Sequence, residues 1–145
     1  MHYEGSFMVG TNRTETYEFA TDPSRVATIF PDVSDVVVQD AEHFSLRAKV
    51  GIAAIKGTMD VKCTVAEKVP LTSVRLKLLA SGLGSGVDMG STFSFEDASG
   101  GGTLVRWTVD ADIAGLIAGL GSRLTDSVAK KYIHDIIESL KRELS

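Results

Sequence analysis

The sequence predicts an α+β fold: a curved antiparallel sheet wrapped around a long C-terminal helix, with two short helices after the first strand. Three observations carry this prediction. Successive runs between residues 44 and 111 alternate apolar and polar side chains, the mark of strands with one buried face. An apolar stripe recurs every four residues from Leu116 to Leu144, as on the covering face of an amphipathic helix. Between the first alternating run and the later ones, residues 11–33 lose the two-residue period and carry helix start and stop signals instead.

In the first run, Tyr3, Gly5, Phe7 and Val9 alternate with Glu4, Ser6 and Met8. The stretch TNRTETYEFATDPSRVATIFPDV then reads as two short helices. Asn12 or Thr14 is suited to cap the first. Asp22-Pro23 opens the second, with proline near its first position, and Pro31 closes it. The strands that follow place Phe44, Leu46, Ala48 and Val50 on one face, then Met59, Val61, Cys63 and Val65, then Val74, Leu76, Leu78 and Ala80. Two more add Met89, Ser91, Phe93 and Phe95, and Val105, Trp107, Val109 and Ala111. The turns are GIAAIKG, KVPLTS, SGLGSG and DASGGG. With the first strand, this gives a helix pair followed by about five or six strands in an antiparallel meander, one face wet and one dry.

The dry face needs a cover, and the last helix is the long one available. Leu116, Leu120, Leu124, Val128, Tyr132, Ile136, Leu140 and Leu144 form its stripe, widened by Ile117, Ile133 and Ile137. Taken from about Ala114 to Glu143, it is ~45 Å long. Gly115, Gly119 and Gly121 fall inside that span, although glycine costs ~1 kcal/mol relative to alanine in a helix interior. Either they mark a break, or strand or ligand approaches the helix backbone closely there. The expectation adopted is close approach, where the helix enters the concave face.

A chain of 145 residues forms one domain, residues 1–145, large enough to bury its own core. A net charge of −4 excludes nucleic acid as the main partner, because no basic excess is present to neutralise phosphates. The single cysteine, Cys63, has no partner for an internal disulfide. The N-terminal stretch lacks the apolar run of a secretory signal, and the apolar segment Ile113–Leu120 is far short of the ~20 residues of a membrane span. A soluble, cytoplasmic protein is expected.

No catalytic residue, metal ligand or cofactor site is assigned. SGLGSGVDMGS lies between strands, not before a helix, and lacks the spacing of a phosphate loop. His2, His43 and His134 have no metal-like spacing to one another or to Cys63. Cys63 falls on the inward face, as a small buried hydrophobe. Strand parity sends nearly every charged side chain to solvent, so general acid–base groups are absent from the inward face. Asp32, Asp35 and Asp88 lie in or near loops that could reach a cavity mouth. What remains inside is an apolar binding site. Its expected lining is Phe30, Phe44, Leu46, Met59, Leu76, Leu78, Met89, Phe93, Phe95 and Trp107 from the sheet side, with Leu116, Gly119, Leu120 and Leu124 from the helix.

The order strand, helix pair, meander and long helix is that of the helix-grip, START-like (SRPBCC) architecture. DPSRVATIFPDV resembles a segment of the carbon monoxide dehydrogenase CoxG family that reads roughly D-P-x-x-V/L-A-x-x-F/L-P-G-V. AKVGIAAIKGTMD resembles its K-V-G-x-I-x-x-x-F-x-G segment, and ASGLGSGVDMGSTFSF its glycine-spaced strand. DADIAGLIAGLGSRLTDSVAKKYIHDIIESLKREL is similar to the family's closing segment and helix. Two departures stand out: Pro31-Asp32-Val33 replaces Pro-Gly-Val, and Ile55-Lys56 stands where the family has an aromatic.

The resemblance implies a helix-grip fold with an apolar cavity for a hydrophobic small molecule, a quinone or a lipid. It also implies an accessory role beside a molybdenum hydroxylase of the carbon monoxide dehydrogenase type, without catalysis of its own. Many relatives carry a membrane-anchoring tail; this chain stops at Ser145, so a membrane role here is expected to work through peripheral surface contact. One alternative is an interaction module for oxidoreductase maturation or membrane recruitment, docking through Phe30, Ile52 and Ile55. Another is an enzyme of the cyclase or dehydratase kind.

Overall fold

A computed structural model describes residues 1–145. The chain runs β1 (His2–Val9), α1 (Arg13–Thr21), α2 (Pro23–Val26), β2 (Val33–Val38), β3 (His43–Ile52), β4 (Ile55–Val69), β5 (Ser73–Gly82), β6 (Ser85–Asp97), β7 (Thr103–Gly115) and α3 (Ser122–Glu143). Short 3-10 turns occupy Ala27–Ile29, Ser99–Gly101 and Ala118–Leu120. All seven strands join one antiparallel sheet in the order β1-β7-β6-β5-β4-β3-β2. This is the helix-grip arrangement that the element order predicts.

The helix signals act where the local chemistry places them. The Asn12 side chain accepts a hydrogen bond from the Glu15 amide at 2.9 Å, and Asp22 caps α2 in the same way through Ser24, with Pro23 in the first turn. Asn12, not Thr14, is therefore the cap. Asn12→Ala is expected to cost ~1 kcal/mol of stability, read as a shift in the urea midpoint at unchanged slope.

Strand parity matches the alternation residue for residue. Phe44, Leu46, Met59, Val61, Cys63, Val65, Val74, Leu76, Leu78, Phe95 and Val105 are buried on the inward face. All of these but Met59 form one cluster with Phe7, Val9, the helix-pair residues Phe19, Val26 and Ile29, and Leu140 and Leu144 of the C-terminal end. The buried hydroxyls of Thr16 and Thr103 both donate to the Thr11 carbonyl, at 3.3 and 2.8 Å, so burial leaves neither orphaned.

Two elements differ from expectation. Strand β2 does not stand out from the period because Ser34 to Val38 are all exposed; with no buried face there is no alternation to read. The C-terminal helix begins at Ser122, not near Ala114, and its 22 residues span ~33 Å. Before it, β7 continues in register with β6 as far as Gly115, opposite Ser85. Gly115 has φ 86° and Gly121, at the helix start, φ 94°, conformations that favour glycine over residues with a Cβ. The glycines at 115 and 121 thus bracket a break between strand and helix. At Gly115 there is also a close approach, but by the neighbouring strand: a Cβ there would collide with the Gly84 carbonyl oxygen. Gly119, by contrast, has nothing within 4 Å of where a Cβ would stand.

Candidate functional site

The concave face of the sheet and the apolar stripe of α3 face each other. The helix is fixed firmly at its C-terminal end, where Leu140 and Leu144 enter the core and Thr11 bonds the Leu144 carbonyl through both its amide, at 2.9 Å, and its hydroxyl, at 2.7 Å. Nearer its start it is held by two phenols. The Tyr3 hydroxyl, from edge strand β1, donates to Asp126 at 2.7 Å. The Tyr132 hydroxyl donates to the Pro31 carbonyl at 3.4 Å. These act as struts on either side of the helix.

Along most of the helix the stripe is only partly buried. Val128, Tyr132, Ile133, Ile136 and Ile137 are half-buried, and Leu140 is the one aliphatic side chain of α3 that is fully buried. The inward residues of β6 and β7 match this: Val87, Met89, Phe93, Trp107, Ala111 and Ile113 are half-buried. Small residues stand among these inward side chains on the strands. Ser91 is buried and donates to the Thr108 carbonyl at 2.9 Å, Ala111 sits opposite Met89, and Gly5 sits opposite Trp107. A Cβ at Gly5 would lie 2.7 Å from the indole, so glycine is what lets Trp107 lie across β1.

Lower in the molecule the interior is packed. A void bounded by Phe7, Val26, Ile29, Leu76, Phe93 and Leu140 holds ≈ 30 Å³, room for a water or two at ~10–15 Å³ each. A much larger open hollow of ≈ 850 Å³ lies against the outer face of β3–β6, lined by Ser45, Lys62, Thr64, Lys77 and Asp88. Most of the side chains around it are polar or charged, and its floor includes Gly90, which Arg75 overlies.

The expected lining residues therefore separate into three groups. Phe30, Phe44, Leu46, Met59, Leu76, Leu78 and Phe95 are buried in the core, where Leu76 and Phe95 border only the ≈ 30 Å³ void. Met89, Phe93, Trp107 and Leu120 are half-buried, the first three packed against the main core and Leu120 against the small core of Ile52, Met59 and Ile117. Leu116, Gly119 and Leu124 are exposed, Leu116 at 63% and Leu124 at 37%. The contact patch expected at Phe30, Ile52 and Ile55 does not form, because Phe30 and Ile52 are buried: Phe30 packs on the Phe44 ring at 6.2 Å, and Ile52 joins Met59 and Ile117 in a second small core. Residues missed from the lining are Gly5, Tyr3, Tyr132, Val128 and Ile133. Inward parity at Tyr3 and stripe membership at Tyr132 were visible signals; their hydrogen-bond partners were not.

The site's titratable chemistry is sparse. Burial and the Asp126 hydrogen bond push Tyr3 up to about 12, while the Tyr3 hydroxyl and then Lys130 hold Asp126 below the usual carboxylate range. Tyr132 is raised by burial and by the nearby Asp32 and Asp135 carboxylates. Burial pushes the Cys63 thiol up to about 12, which removes thiolate character near neutral pH. Every buried side-chain nitrogen and oxygen has a hydrogen-bond partner, no group of three or more His, Cys, Asp or Glu side chains could hold a metal ion, and no helix is long and apolar enough to cross a membrane.

A family model for CoxG, described as a subunit of carbon monoxide dehydrogenase, matches residues 5–145. The chain belongs to the CoxG family. No curated protein sequence matches it. Among solved structures this CoxG-family chain is similar to a conserved protein from Geobacillus kaustophilus, with TM-score 0.88 at 22% identity over 99% of this chain and 95% of that one. It is similar to a START superfamily protein from Mycobacterium smegmatis, with TM-score 0.73 at 9% identity over 99% and 96% of the two chains. It is also similar to the Zhui aromatase/cyclase from Streptomyces sp. R1128, with TM-score 0.69 at 15% identity over 99% and 93%. At these identities the likeness is one of fold: the START-like helix grip.

The structure accounts for one departure of this CoxG chain from the family pattern. Where the resemblance has glycine after proline, Asp32 adopts φ 53°, a left-handed conformation that Asp tolerates better than most residues with a Cβ. Its carbonyl accepts from the Lys49 amide at 3.0 Å, so the turn keeps its place against β3.

Proposed function

We propose that this chain holds an apolar small molecule, a quinone or a lipid, between α3 and the sheet without transforming it, as an accessory to a molybdenum hydroxylase of the carbon monoxide dehydrogenase type. The observation that carries the reading is apolar surface left half-buried on both sides of one gap: Val128, Ile133 and Ile136 above, Met89, Phe93 and Trp107 below. Such surface gains free energy when an apolar ligand removes it from water. Met89 suits a ligand of variable shape, because its unbranched chain adapts. In this reading Leu120 closes the upper end, Leu116, Gly119 and Leu124 rim the mouth, and Phe30, Phe44, Leu46, Met59, Leu76, Leu78 and Phe95 are the rigid wall behind.

The CoxG family takes its name from carbon monoxide dehydrogenase, which supports an enzyme of that type as the partner. The absence of catalysis is supported by the groups nearest the gap. General acid–base work at neutral pH needs a group that titrates near 7. Tyr3 and Tyr132 are both raised, and the Ser91 hydroxyl is committed to a backbone carbonyl.

Trp107 is the only tryptophan, so its fluorescence reports on the gap. Titration with a short-chain quinone is expected to quench it saturably, and Ala111→Phe, which fills the floor, is expected to remove the saturable part while the melting temperature stays native. Non-saturable quenching of the wild type, together with no quinone or lipid in an organic extract of natively purified protein, would sink the proposal.

A further inference from the structure

The outer face of the sheet carries charge that the inner face lacks. Two cross-strand rows run side by side through the ≈ 850 Å³ hollow. One is Ser45, Lys62, Leu79 and Asp88, on β3 to β6; the other is His43, Thr64, Lys77 and Gly90. Lys62 and Lys77 are therefore diagonal neighbours, ~7–8 Å apart. Arg75 precedes Lys77 by two residues on the same strand and the same face, ~7 Å away. Three cations from two adjacent strands thus share one side of the hollow.

Little in the chain neutralises them. Lys62 and Lys77 are exposed, and neither takes part in an ion pair. Arg75 has Glu67 at 3.9 Å. Among the nearby carboxylates, Asp40 is engaged by His43 at 2.8 Å and Asp60 by Arg47 at 3.1 Å. Asp88 is a diagonal neighbour of Lys77 but makes no ion pair with it.

The donors are also held ready. Nη1 of Arg75 donates to the Thr92 hydroxyl at 2.9 Å, and the guanidinium lies across Gly90, where a Cβ would collide with it. A guanidinium fixed in this way loses little freedom on binding. The Ser45 hydroxyl accepts from the Gln39 amide at 2.9 Å, which leaves its own proton free to donate. One side of the hollow therefore offers positive charge with N–H and O–H donors, the complement of a phosphate, whose oxygens accept. The hollow lies within the size range of small-molecule sites, and Leu79, 57% exposed, gives it an apolar platform between Lys62 and Asp88.

We propose that this outer hollow binds a phosphorylated small molecule. Its phosphate sits among Lys62, Lys77 and Arg75, and its organic part lies over Leu79 with a hydrogen-bond donor toward Asp88. Binding relieves the repulsion between like charges on neighbouring strands. The site is on the opposite face of the sheet from α3, so it does not depend on what lies between helix and sheet.

The test is isothermal titration of the full chain with ADP and with inorganic pyrophosphate at low salt. Saturable binding of both is expected, weakening as salt is raised, with ADP about fivefold tighter because its nucleoside covers Leu79. The double variant Lys62→Gln/Lys77→Gln is expected to lower both affinities by on the order of 30-fold. Gly90→Ala, which displaces the Arg75 guanidinium without changing charge, is expected to lower them by about fivefold. Both lysines are exposed, so the double variant should keep the native melting temperature and the saturable Trp107 quenching, which separates loss of this site from loss of the inner one. No saturable binding of either probe, or binding that the double variant leaves unchanged, overturns the proposal. So does pyrophosphate bound as tightly as ADP, which would leave a site for free phosphate alone.

Discussion

Phe44→Ala is expected to destabilise the protein by ~3–5 kcal/mol, the range for deleting a fully buried aromatic ring. Phe44 is 1% exposed. It lies opposite Cys63 on β4, and its ring meets Phe30 from the turn after α2 at 6.2 Å and a 56° tilt. The truncation therefore removes one of the contacts that seat the helix pair on the sheet and leaves a cavity that the rigid strands on either side cannot collapse into. Urea denaturation followed by circular dichroism reads the change as a lower midpoint. The outcome also separates two roles for this residue. If Phe44 faced an open ligand space, the ring would already lack partners on one side, and the loss would be below ~1.5 kcal/mol.

The second large effect is expected at one glycine of the strand-to-helix connection and not at another. Gly115→Ala should cost about 2–4 kcal/mol, from a left-handed backbone that disfavours a Cβ and from overpacking against the facing strand. Its φ is 86°, and the new methyl would stand 2.8 Å from the Ser85 Cα as well as against the Gly84 carbonyl. Gly119→Ala should fall within about 0.5 kcal/mol of neutral, because open space surrounds that position and the substitution also reduces the freedom of the unfolded chain. Thermal melts of the pair decide the matter. A costly Gly119→Ala with a harmless Gly115→Ala would restore the expectation that something approaches the chain at Gly119.

Comparison of particular elements shows what amino-acid order alone could establish. Strand parity was legible from Phe44 to Ala111 because burial on one face imposes a two-residue period directly on the side chains. Asn12, Asp22-Pro23 and Pro31 were legible as helix signals because capping and proline geometry are local. The family motifs were legible as ordered strings, and the family match over residues 5–145 agrees with them. Strand β2 was not legible as a strand of its own, since an exposed edge strand carries no alternation.

The start of α3 was not legible because leucine at four-residue spacing continues through Leu116 and Leu120 whether or not the backbone is helical. The deciding facts are a positive φ at Gly115 and Gly121 and the pairing of β7 with β6 up to Gly115. The same limit applies to the site. Inward parity says which side chains leave the solvent face, so Phe44 and Trp107 looked alike. Whether an inward side chain packs solid or borders a gap depends on how far the helix stands from the sheet. That distance is set by non-local contacts: Tyr3 with Asp126, Tyr132 with Pro31, and Leu140 and Leu144 with the core. The two phenol hydrogen bonds join residues more than a hundred positions apart, and only the folded chain brings them together.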